Sequence, residues 1–178
     1  MTENKNPIVA VVMGSISDWK VMAEACNMLE QFDIPYFKDV VSAHRTPYKL
    51  VEFAAGAREA GYKAIIAGAG GAAHLPGMIA SITNVPVIGV PVKPSAYTGE
   101  DSILSILQMP PGIPVATMAL NGAANAGIYA AQIIGAYDNS VYAKLEAYKK
   151  ELEGKVAGMS ADLKAINVQE YLKQQAQK

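Results

Sequence analysis

Short β-branched apolar runs alternate along this chain with longer stretches of helical period. Residues 8–13 (IVAVVM) are a continuous apolar run closed by Gly14, the pattern of a strand buried on both faces. Val21, Ala25, Met28, Leu29 and Phe32 then recur at helical spacing, which predicts a helix over residues 18–31 with Ser17 or Asp18 as its cap. Residues 35–41 read as a second strand. Thr46 and Pro47 read as the N-cap and first position of a helix that runs to residue 60 and stops at Gly61. A third strand over 63–67 leads into a Gly/Ala loop over 68–73 and a short helix to Thr83. A fourth strand is expected at 86–90, a helix from Asp101 to Met109, and a fifth strand at 114–119. Two helices follow, a small-residue one over 122–136 and another over 139–156. The tail from Gly158 is polar, with a helix possible from Ala161.

Strand and helix alternate five times, which predicts an α/β protein: a parallel sheet between two helical layers, joined by right-handed crossovers. Five strands suggest a three-layer αβα, flavodoxin-like arrangement with strand order 2-1-3-4-5. One catalytic domain is expected over 1–157, with a polar C-terminal extension over 158–178. Ligands of such sheets sit at the carboxyl ends of the strands, at the switch point between the first and third. The first three strands end there in the least ordinary loops of the chain: GSISD, SAHRTP and GAGGAAHLPG.

Composition narrows the picture. Hydrophobic residues are 51% and charged residues 17% of the chain, the opposite of a disordered protein. So little charge, together with the small-residue helix at Gly122 to Gly127, predicts a surface covered in part by other subunits. Net charge is −1, so no basic field is present for nucleic acid or for a membrane surface. One cysteine, two histidines and an N-terminal segment without signal-peptide features predict a reduced, cytoplasmic protein with no zinc spacing.

Each loop has a chemical reading and a plainer one. Ser15, Ser17 and Asp18 at a helix start suit a phosphate and a ribose, and the same residue types also cap ordinary helices. In the second loop Arg45 offers a bidentate fork for phosphate, and His44 is the side chain that exchanges protons near neutrality. A solvated surface turn would look the same. The third loop lets a ligand approach the backbone closely. It lacks the Lys-Ser/Thr of a P-loop, and its GAGG follows the wrong strand for a dinucleotide fingerprint. His74 reads as catalytic or as a locally bonded structural histidine, the second being the commoner use.

Four stretches in this order resemble the signatures of one purine-biosynthesis family: Gly14 to Asp18, Ser42 to Pro47, Ala67 to Met78, and Asp101 to Pro110. The family is 5-(carboxyamino)imidazole ribonucleotide mutase, also called the phosphoribosylaminoimidazole carboxylase catalytic subunit. The resemblance implies a flavodoxin-like homo-octamer with active sites near subunit boundaries and no metal, biotin, ATP or other cofactor. It implies that His44 carries the proton. Ser15, Ser42 and Arg45 would then hold the substrate phosphate and Asp18 the ribose. Gly70, Gly71 and Ala72 would offer backbone N–H groups around CO2, and Gly14, Ser17, Ala43, His74 and Leu75 would complete the substrate wall. A second branch, which carboxylates aminoimidazole ribonucleotide directly, typically reads His-Lys-Gly-Pro where this chain reads His44-Arg45-Thr46-Pro47, so the mutase branch is favoured. The alternatives are that direct carboxylase, a non-catalytic flavodoxin-like module for a phosphorylated ligand, and a structural partner of a larger synthetase.

Overall fold

The structure, a computed structural model, describes residues 6–175. These divide into two compact units, one ending at Tyr142 and the other beginning at Ala143.

The first unit holds a five-stranded, wholly parallel sheet of order 2-1-3-4-5, as the sequence pattern predicts. Its strands are β1 Val9–Met13, β2 Tyr36–Val40, β3 Ala64–Gly70, β4 Val87–Val92 and β5 Ala116–Thr117. Its helices are α1 Trp19–Gln31, α2 Pro47–Ala55, α3 Leu75–Ala80, α4 Glu100–Leu107 and α5 Ala123–Gly135. Alternate residues of β1 face opposite layers. Ala10 and Val12 join Leu50, Ala54, Ile65, Ala67, Leu75, Ile79 and Ile106 in one core, on the α2–α4 side. On the other side α1 packs against β1, and α5 against β3 and β4. The contact between α1 and α5 is close: a Cβ on Gly127 would stand 2.7 Å from the carbonyl oxygen of Ala25. Ala123, Ala126, Ala130 and Ala131 are fully buried within the single chain. The small residues of α5 therefore serve packing inside the unit, and they lend no support to the expected subunit contact.

Several boundaries differ from the pattern-based ones. β3 runs three residues beyond 67 into the glycines, because it is paired on both sides: Met13 of β1 meets Gly68, and Val92 of β4 meets Gly70. Glycine's weak strand propensity concealed that extension. At the sheet edge β5 shrinks to two residues, paired only at Ile88–Ala116 and Gly89–Thr117. α2 ends five residues early. The Gly56 N–H still bonds four residues back, to Glu52, but the Ala57 N–H tightens to a three-residue bond to Ala54, and the turn then closes at Gly61, whose φ is +89°.

α6, Asn139–Ala165, starts in the first unit and continues as one helix nine residues past the expected end. In the second unit it is followed by α7, Val168–Gln175. No described helix is long and apolar enough to cross a membrane.

Candidate functional site

Parallel strands bring all their carboxyl ends to one edge, and a cavity of about 520 Å³ opens there. Its lining includes Gly14, Ser15, Ser17, Asp18, Ser42, Ala43, His44, Arg45, Gly70, Ala72, His74 and Leu75. Those residues come from all three unusual loops. Of the expected site residues only Gly71 stands outside the lining.

Asp18 stands at the N-cap of α1, as expected, but the side-chain cap bond of the first loop comes from Ser15. Ser15 caps a single 3-10 turn, Ile16–Asp18, that leads into α1. The Ser17 N–H donates to Ser15 Oγ at 3.3 Å, and the Ser15 N–H donates to Asp18 Oδ2 at 3.1 Å. Asp18 thus reaches backwards and makes no cap bond to α1. Its side chain stands in the cavity wall with the residue only 8% exposed.

Burial pushes the Asp18 carboxyl above the usual aspartate range. The Ser15 N–H, the Ser17 hydroxyl and the Arg45 guanidinium oppose that shift without cancelling it. A carboxyl whose pKa rises on folding stabilises the protein below its unfolded pKa, and that contribution is lost as pH climbs through the folded value. Asp18→Asn keeps an oxygen for the Ser15 N–H and never ionises. It is expected to be at least as stable as the parent at neutral pH, with the difference shrinking as pH falls through the carboxylate range. Thermal melts of both proteins over that range check this; a variant plainly less stable at neutral pH contradicts it.

The second loop is closed on itself. Thr46 Oγ1 accepts from the Ser42 N–H at 3.0 Å and donates to the Ser42 carbonyl at 3.1 Å. Arg45 ties this loop to the first: its Nε donates to Ser42 Oγ at 3.2 Å and its Nη2 to the Gly14 carbonyl at 3.0 Å. Nη1 makes no hydrogen bond among the described residues and is left for a ligand.

His44 reaches across to the third loop. Its Nε2 lies 2.9 Å from His74 Nδ1, with the rings 5.0 Å apart and 76° to each other. An N–H···N bond requires one of these two nitrogens to carry a proton and the other to be bare, so one ring donates to the other across this contact. His44 Nδ1 has no partner among the described residues. The residue pattern favoured a structural use for His74 while the resemblance set it in the substrate wall; the structure places it in the same cavity, against His44.

The third loop owes its course to a buried hydroxyl. Gly71 has φ +69°, a conformation that disfavours any side chain, and its N–H donates to Ser102 Oγ at 2.8 Å. Ser102 is fully buried, and its hydroxyl donates in turn to the Val92 carbonyl at 2.8 Å. The Gly71 amide is therefore engaged within the protein and is not offered to a ligand. Ala69, Val92, Lys93, Pro94 and Ser95 also line the cavity and were missed. The rule that all parallel strands end on one edge could have found the last four, since they terminate or follow β4. Among the described residues no group of three or more His, Cys, Asp or Glu side chains is gathered that could hold a metal ion.

A family model described as AIR carboxylase matches residues 8–155. The N5-carboxyaminoimidazole ribonucleotide mutase of Haemophilus influenzae is 58% identical over 149 residues, 83% of this chain and 91% of that protein. The phosphoribosylaminoimidazole carboxylase of Candida glabrata is 51% identical over 170 residues; the match takes in 96% of this chain and only 30% of that longer protein. The crystal structure of Treponema denticola PurE superposes with a TM-score of 0.78 at 28% identity, covering 89% of this chain and 99% of that one.

Proposed function

The chain belongs to the AIR carboxylase family, and from that premise we propose that it is an isomerase of purine biosynthesis. It moves a carboxylate from the exocyclic nitrogen of a carbamate-bearing aminoimidazole ribonucleotide to ring carbon four. The observation that carries this reading is the convergence of His44, Arg45, Asp18, Gly70 and Ala72 on one cavity. A relative at 58% identity that shares nearly its full length with this chain is named for the same mutase activity.

The substrate phosphate lies on Arg45, Ser15, Ser17 and Ser42 ahead of α1, where a guanidinium and three hydroxyls meet. Asp18 accepts from the ribose hydroxyls. The ring then points to His44 and the third loop. Protonated His44 gives its proton to the carbamate nitrogen as the C–N bond breaks, and the bonding pair stays on nitrogen. CO2 is released into the space beside Gly70 and Ala72. Ring carbon four attacks it, and neutral His44 removes the proton that this carbon loses. The histidine ends as it began, so the step needs no outside acid, base or cofactor.

The test is a direct assay of the isolated chain on the synthetic carbamate nucleotide without ATP. Conversion supports the mutase reading. Conversion of bare aminoimidazole ribonucleotide with low bicarbonate, and none of the carbamate, would instead identify a direct carboxylase.

The enzyme works as a closed homo-octamer in the cytoplasm, holding the nucleotide near subunit boundaries. In support, Val156, Met159 and Leu163 recur along α6 while 63–70% exposed, and Val168 and Leu172 continue the exposed apolar character along α7. Light scattering at micromolar concentration is expected to return a multiple of the chain mass; the mass of one chain refutes the assembly.

A further inference from the structure

The cavity holds a second cation to which the mechanism above gives no task. Lys93 lines it from the end of β4, beside Pro94 and Ser95. Its backbone N–H donates to Asn121 Oδ1 at 2.9 Å, which anchors the point where the side chain leaves the main chain. The Lys93 side chain forms no ion pair among the described residues.

Strand order sets its place relative to Arg45. β2 and β4 flank the central pair β1 and β3. Neighbouring strands lie about 4.8 Å apart, so the ends of β2 and β4 are separated by roughly 14 Å. Arg45, after β2, and Lys93, after β4, therefore bracket the cavity. The His44–His74 pair bridges the β2 side to the β3 side between them. A phosphorylated imidazole ribonucleotide carries its two anionic groups at opposite ends, with the ribose and the ring in the middle. With its phosphate at the β1 and β2 loops, its carboxylated end is directed to the β3 and β4 loops.

We propose that Lys93 is a second anion-recognition group: its ammonium binds the nucleotide's carboxylate and sets the preference for a carboxylated over a bare aminoimidazole ribonucleotide. The assignment rests on the function proposed above and adds a specificity determinant to it.

The charge balance of the reaction states what kind of determinant. The carboxylate is anionic in substrate and in product, and neutral CO2 stands between them. A cation on that carboxylate favours both ground states and gives nothing to the intermediate. It therefore lowers KM in each direction without raising kcat. Lys93→Gln is expected to raise KM about three- to tenfold in both directions, the range for a solvent-accessible charge contact strengthened by hydrogen bonding. Its kcat should hold or rise slightly.

The deciding experiment measures Kd by calorimetry for two ligands, the carboxylated product nucleotide and aminoimidazole ribonucleotide, on the parent protein, Lys93→Gln and Lys93→Arg. Expected is a three- to tenfold loss for the carboxylated ligand alone in Lys93→Gln, with most of it restored in Lys93→Arg. Equal weakening of both ligands, no weakening of either, or a fall in kcat at constant KM overturns the assignment. The binding comparison needs no turnover, so it separates the two claims. A parent protein that converts the carbamate without the Lys93 effect sinks this assignment alone. One that discriminates the ligands through Lys93 but converts nothing sinks the mutase reading and leaves the anion site standing. One that binds neither nucleotide sinks both.

Discussion

His44→Asn is expected to keep fold and assembly while slowing carboxylate migration by about 10²–10⁴-fold, the span of a positioned acid–base group. The fold should survive because His44 is an exposed side chain whose one bond among the described residues is to another exposed histidine. Asparagine can still meet His74 through its carboxamide, but it neither gives nor takes a proton near neutrality. Both halves of the reaction need that proton, once on the carbamate nitrogen and once off ring carbon four, so both are lost together. His74→Asn makes the informative comparison. It removes the neighbour of His44 and not the proton carrier, so its effect should be far smaller. Turnover of the purified variants, with circular dichroism as the control for folding, decides the matter. Near-parental turnover in His44→Asn would move His44 out of the mechanism, and a matching loss in His74→Asn would mean that the two rings act as one unit.

The position of that histidine was legible in the sequence because three separate features agree. A β-branched run names each strand, the parallel topology names the edge, and the loops on that edge hold residues that linkers have no use for. The same reasoning failed wherever tertiary pairing overrode local preference. Gly68 to Gly70 look like a loop and are strand, held along their length by β4 and, at Gly68, by β1 as well. The amide of Gly71 looks available and is taken by Ser102, thirty-one residues away in sequence. No local pattern could announce that bond, since serine inside a helix is ordinary. The small residues of α5 look like a subunit contact and are spent on α1. Lys93 was passed over because the loop after β4 carries none of the chemistry that drew attention to the other three.

Ser102 also explains how a signature can lie far from the chemistry and still bear on it. The stretch Asp101 to Pro110 supplies no lining residue. It supplies the hydroxyl that accepts from Gly71 and donates to the carbonyl of Val92. One buried group thereby fixes the carboxyl ends of β3 and β4 together, and with them the small-residue wall and the base of the Lys93 loop. A buried donor and acceptor left unpaired there would each carry a desolvation penalty of about 1–3 kcal/mol.

Arg45→Lys is expected to weaken binding of the phosphorylated nucleotide by about one to two orders of magnitude. A charge-assisted hydrogen bond contributes about 1.5–3 kcal/mol, and about 1.4 kcal/mol is tenfold in affinity. Lysine keeps the charge and loses the planar fork. In this site the fork has two duties. Nε and Nη2 hold Ser42 and Gly14, tying the first loop to the second, while Nη1 is left for the ligand. A lysine ammonium is one compact donor group and cannot span the two loops and a phosphate as the fork does. Two ligands separate the duties, the nucleotide and its analogue without the 5′-phosphate. If the phosphate contact dominates, the loss shrinks sharply for the analogue. If loop geometry dominates, both ligands weaken alike and the melting temperature of the empty protein falls as well. Equal weakening with an unchanged melting temperature would fit neither duty. It would place Arg45 on the migrating carboxylate and leave Ser15, Ser17 and the start of α1 as the phosphate site.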